Sequence, residues 1–181
     1  MGIAALWMPI FVSAVLVFFA SALVWMIMPW HKTDYKKTDN EEAVRSALSG
    51  SSPGAYMLPY CKDPSEFKNP DVAQKYIDGP QGFITIIPNG TPQMGSKMAM
   101  MFVYFLFVGI LCAYFVSRTA APDADYLAVF RIAGATAFIA HGIAGIPDSI
   151  WFGRPWSLTA KNMFDALLYG LLTGGAFGWL A

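Results

Sequence analysis

Uncharged apolar residues fill four long stretches of the chain, and most of the charge lies between the first and the second of them. The stretches run from about Ile3 to Met28, Met98 to Val116, Tyr126 to Ile146 and Asn162 to Ala181. Crossing a hydrocarbon core takes roughly 20 mostly apolar residues. Each stretch therefore predicts a transmembrane helix. The first two carry no charge, the third contains Arg131 and His141, and the fourth contains Asp165. The fold class expected is an all-α membrane protein. It has about four transmembrane helices and a small α+β extramembrane insert between helices one and two. The expected organisation is helix one over 1–30, the insert over 31–97 and helices two to four over 98–181.

The six tryptophans support these limits. Amphipathic aromatic rings favour the membrane–water interface, and Trp7, Trp25, Trp30, Trp151, Trp156 and Trp179 all fall near the end of a proposed helix. The first stretch reads as a retained helix rather than a signal peptide. It lacks an N-terminal Lys or Arg, is too long, and is followed by Met28-Pro29-Trp30-His31 instead of a small-residue cleavage site.

The polar insert has elements of its own. Thr38-Asp39-Asn40-Glu41 resembles a capping box before a helix over Glu41–Leu48. Ser49–Gly54 is rich in turn residues. Strands are predicted over Ala55–Tyr60 and Gly82–Ile87, paired with each other, and a helix over Pro70–Ile77. Around the helix ends, the insert side carries Lys32, Lys36, Lys37, Lys97, Arg154 and Lys161, against Arg118 and Arg131 on the other. By the positive-inside rule the insert is expected in the cytoplasm and both termini outside, as in a bacterial inner membrane.

Composition adds exclusions. The 181 residues are 56% hydrophobic and 13% charged, and a net charge of zero gives no electrostatic basis for nucleic-acid binding. Cys61 lies in the insert and Cys112 in an apolar run, so no disulfide is expected. No CxxC or Cys/His cluster suggests zinc or iron–sulfur, and no nucleotide-binding or hydrolase motif is present. Asn89-Gly90-Thr91, flanked by prolines, reads as a turn, and no catalytic residue is assigned.

What polar chemistry the apolar segments contain is concentrated in helices three and four. Arg131, Gly134, Phe138, His141, Gly145 and Asp148 step by three and four, as do Asn162, Asp165, Tyr169 and Thr173. Ionisable groups are costly in lipid, so the two polar stripes are expected to face each other. Arg131, His141, Asp148, Asp165 and Tyr169 are then either an ion path or packing groups, with packing the simpler reading. No cofactor is expected. The one route to a cofactor is a haem or chlorophyll ligated by His141. Bis-histidine haem ligation with His31 is opposed by the different depths of the two residues. Gly170, Gly174 and Gly178 form a doubled GxxxG, suited to close helix packing within the chain or against a neighbouring subunit.

Four motifs give a resemblance. They are Trp7-Met8-Pro9-Ile10, the exit Trp30-His31-Lys32 to Asp34-Tyr35, Gly79-Pro80 to Gly82-Phe83, and Ile150-Trp151-Phe152-Gly153-Arg154-Pro155-Trp156. In layout and short motifs the chain resembles small, functionally uncharacterised inner-membrane proteins of bacteria, a resemblance that implies no activity. Three functions are carried forward. The first is a non-catalytic accessory or structural subunit of a larger membrane complex, possible as a homo-oligomer, with the lipid bilayer and other membrane subunits as partners. The second is a small transporter or proton-conducting protein using the polar stripes. The third is a lipid-active enzyme at the interface where Asp148, Arg154, Lys161 and Asp165 gather.

Overall fold

The computed structural model describes residues 2–121 and 123–181. It divides into two compact units: 2–35, 93–149 and 154–181 in one, 36–92 and 150–153 in the other.

Four helices are long and apolar enough to cross a membrane, Ile3–Ile27, Met94–Thr119, Tyr126–Trp151 and Trp156–Leu180, and all but the last two residues of the third belong to the first unit. The chain is a multi-pass α-helical membrane protein. Helix α1 (Trp7–Ala22) follows a 3-10 turn at Ile3–Leu6 and runs into a π turn at Leu23–Ile27. There the Met28 N–H donates to the Leu23 carbonyl five residues back, at 3.0 Å. Pro29 has no N–H with which to continue, so the helix stops. The backbone then turns through a short 3-10 segment at Pro29–His31.

The second span is a single helix, labelled α4 (Met94–Thr119) because two short helices of the insert follow α1 and precede it in the chain. The third is helix α5 (Tyr126–Gly142), a 3-10 turn at Ile143–Gly145 and helix α6 (Ile146–Trp151). Pro147 lies in the first turn of α6, where its missing N–H costs no hydrogen bond. The fourth is α7 (Trp156–Leu180), entered from Pro155.

Helices two and four begin earlier than their apolar runs, at Met94 and Trp156, and the third span continues to Trp151. An apolar window measures only the hydrocarbon depth. Backbone hydrogen bonding carries the helix on through the interface, where the exposed Lys97 can extend its long stem toward water.

Small side chains let these helices approach. One buried cluster joins Leu6, Cys112, Ala113, Ala133, Ala137 and Phe177, and a second joins Ala14, Val17, Phe105 and Tyr169. Helix α7 is the least apolar of the four and the most buried. In a bilayer this combination marks the helix that packs among the others rather than against lipid.

The second unit holds, in chain order, helix α2 (Glu41–Ala47), strand β1 (Gly54–Leu58), helix α3 (Pro70–Asp78) and strand β2 (Gly82–Ile86). The strands pair antiparallel, Gly54 opposite Ile86 and Leu58 opposite Gly82. Strand β1 stops before Tyr60 because Pro59 cannot donate to a ladder. The capping box expected at Thr38–Glu41 does not form: Asn40 occupies the cap position and its side chain makes no capping hydrogen bond. Side-chain caps occur instead at Asp63, which accepts from the Ser65 N–H, and at Asn69, which accepts from the Asp71 N–H.

Candidate functional site

The 3-10 turn after Pro29 carries His31 and Asp34 into the membrane unit, against helix α7. His31 is buried, with 7% of its surface exposed. Its ring lies flat against the Trp25 indole, with centroids 3.8 Å apart and planes 3° from parallel. Both ring nitrogens meet carboxylates: Nδ1 lies 2.5 Å from Asp34 Oδ2 and Nε2 lies 2.8 Å from Asp165 Oδ2. Lys161, one turn before Asp165, donates to Asp34 Oδ1 at 2.5 Å and to the Trp30 carbonyl at 2.7 Å. Burial pushes the Asp34 carboxyl up, but hydrogen bonds from Lys161 and His31 and their positive charge outweigh it. They hold the group below the ordinary carboxylate range.

Two neighbouring polar atoms have no partner among the described residues. Asp165 Oδ1 and the Tyr169 hydroxyl are buried and unbonded. The Trp30 and Trp25 indoles lie beside these two residues without meeting hydrogen-bond geometry. Asp165 is the tenth residue of α7, so it sits about 13 Å along the axis from the helix start, and Tyr169 lies one turn deeper. Beside Tyr169, and level with Ala166 on α7, lies His141, half-buried on α5. Its ring meets those of Tyr169 and Phe105 edge-on, at 5.4 and 5.7 Å, and its Nδ1 lies 3.3 Å from the Tyr104 hydroxyl.

The stripe residues therefore separate. Asp165, Tyr169 and His141 line one interior face. Arg131 is exposed on the outside of α5 and, among the described residues, has no ion pair or hydrogen bond. Asp148 pairs with Arg154 at 3.7 Å in a partly exposed contact of its own. The interfacial set of Asp148, Arg154, Lys161 and Asp165 is thus divided between two contacts. Gly170, Gly174 and Gly178 face α5. A Cβ on them would lie 2.9 Å from the Gly134 carbonyl oxygen, 2.8 Å from that of Phe130 and 3.0 Å from that of Tyr126, respectively. The seam is antiparallel and closes within the chain.

Sequence reasoning missed His31 and Asp34 as site residues, and read Lys161 as an orientation charge and as part of the interfacial set with Asp148, Arg154 and Asp165, not as the partner of Asp34. A usable signal was present: a His and an Asp three residues apart, just past a proline-terminated membrane helix. Neither His31 nitrogen is free to bind a metal, and among the described residues no three His, Cys, Asp or Glu are placed to hold an ion.

Chemically, the cluster holds protons. A neutral imidazole has one N–H and can donate once. With both nitrogens against carboxylate oxygens, the Asp34–His31–Asp165 set needs a second proton, on the ring or on a carboxyl. With Lys161 charged and both aspartates ionised, an imidazolium brings the group to neutrality. Compared with known proteins, the chain matches no family model, no curated protein and no solved structure.

Proposed function

We propose that this chain is a small proton-conducting membrane protein. Asp34, His31 and Asp165 form its proton-loading site, and Tyr169 and His141 lie along its path. One observation carries the reading: a buried histidine bridges two carboxylates, and the next groups deeper in the membrane, Asp165 Oδ1 and the Tyr169 hydroxyl, are buried with nothing bonded to them. A purely structural polar cluster in a membrane satisfies its atoms, because each unmet group there costs several kcal/mol. Two successive unpaired polar groups on one helix face, a carboxylate oxygen and a hydroxyl, are groups that can take up and pass on a proton.

In this reading a proton enters at Asp34, beside the partly exposed Lys161. With that proton on Asp34 and His31 neutral with its proton on Nε2, Nδ1 takes the Asp34 proton while Nε2 releases its own to Asp165 across 2.8 Å; the ring is left as its Nδ1–H tautomer and returns to the Nε2–H form before the next transfer. Asp165, now neutral, offers its proton toward Tyr169. No direct hydrogen bond joins these two, so this step runs through entering water. The excess of Lys and Arg on the insert side supports a cytoplasmic loading end with both termini across the membrane, which in this reading is a bacterial inner membrane.

The two other readings lose support. The glycine face that suggested a partner subunit is taken by α5, and the four interfacial residues of the enzyme reading do not meet in one site. The test is flux. The full-length chain is reconstituted in liposomes enclosing a pH-sensitive dye, with a potassium gradient and valinomycin setting the potential. Expected is acidification faster than in protein-free vesicles, falling toward that baseline in Asp165→Asn and in His31→Gln. Wild-type flux equal to empty vesicles, or undiminished flux in both variants, overturns the proposal.

A further inference from the structure

An unpaired arginine on a lipid-facing helix surface points to a ligand outside the proton path. Arg131 lies five residues into α5, about 7.5 Å along the axis from Tyr126. Side chains on a helix lean toward its N-terminus, so the Arg131 stem runs back toward the Tyr126 end and the headgroup level. Among the described residues no carboxylate meets it.

Beside it is a shallow apolar groove of about 340 Å³. Its floor is the Gly134–Gly170 contact, which is low because neither residue has a side chain. Its walls include Phe138, Leu167 and Leu171. The seam pairs Phe130 with Gly174 and Gly134 with Gly170. Passing from Arg131 to Phe138 on α5, and from Leu171 to Leu167 on α7, therefore leads away from the Tyr126 end. The groove is thus cationic at its interfacial end and apolar toward the bilayer centre.

We infer that this groove seats one anionic glycerophospholipid, its phosphodiester on the Arg131 guanidinium and the start of an acyl chain over the glycine seam. Charge complementarity selects the occupant. A guanidinium exposed in the membrane without a carboxylate needs an anion, and the leaflet supplies phosphodiesters at that level. The apolar trough continues where a tail must go.

Native mass spectrometry of the full-length chain in detergent tests this, with dioleoyl phosphatidylglycerol or dioleoyl phosphatidylcholine added. Expected is preferential retention of phosphatidylglycerol, reduced about tenfold in Arg131→Gln. Ala135→Phe, at an exposed position in the groove wall, lowers it by blocking the tail while leaving the charge. Excess inorganic phosphate leaves the lipid bound. Equal retention of the two lipids, unchanged binding in either variant, or displacement by phosphate overturns the inference.

Discussion

Helix α7 is held to its neighbours in two opposite ways along its length. Near its start, Lys161 and Asp165 join the turn after α1 through charges and hydrogen bonds. Along its second half, Gly170, Gly174 and Gly178 join α5 with no side chain of their own, their backbone against the backbone and the Phe130 and Tyr126 rings of α5. The first attachment depends on how many protons are present. The second depends only on shape. A helix fixed at one end by shape and at the other by titratable groups can respond to protons at that one end without losing its place in the bundle.

The sharpest way to break the comparison is to remove one member of the charged end. Asp165→Ala leaves His31 and its neighbours buried with charge uncompensated, and a loss of about 3 kcal/mol or more is expected. Thermal unfolding in detergent, followed by circular dichroism, reads it. Combined with His31→Gln, the loss should be smaller than the sum of the two single losses. Additive losses would mean that the pair is not coupled.

Next in size is a test of shape. Gly174→Val puts a side chain where even a Cβ would be 2.8 Å from the Phe130 carbonyl oxygen. About 2 kcal/mol of destabilisation is expected from overpacking. The adjacent Gly175 is the control, since a Cβ there meets only the Tyr126 hydroxyl at 3.8 Å. Gly175→Ala should melt within a few degrees of wild type, and equal damage at both positions would show that the seam is not what matters.

The smallest effect separates the two ends by pH. Asp34 titrates below the ordinary range when folded and returns to about 4 when unfolded. A depressed carboxylate adds stability above its unfolded pKa, and that stability is lost as pH falls through its folded pKa. Melting temperature should therefore fall toward the acid end in wild type and fall less in Asp34→Asn. Parallel profiles would assign the acid limb to other carboxylates. The glycine variant should shift the whole curve without changing its slope.

The spans, both strands and the helix at Pro70 were legible because each rests on a local pattern: an apolar run, or Gly and Pro at its limits. The site was only partly legible. Asp165, Tyr169 and His141 stood out as ionisable or polar groups in apolar helices, but the partner of Asp165 lies 134 residues away, and no local pattern names it.

The stripe on α5 misled for a geometric reason. From Arg131 to His141 is ten residues, which at about 100° each is 1000°, some 80° short of three full turns. Positions linked by steps of three and four drift around the helix. Here the drift carries the stripe from an exposed surface at Arg131, past α7 at Gly134 and Phe138, to Tyr104 of α4 at His141.

The stacking of Trp25 on His31 has one further consequence. An indole lying flat on an imidazole shares its excited state with that ring, and a positively charged ring withdraws electron density that a neutral one does not. The parallel contact at 3.8 Å makes Trp25 a built-in optical reporter. With the other five tryptophans replaced by phenylalanine, the brightness of this one residue would register the charge on the histidine beneath it.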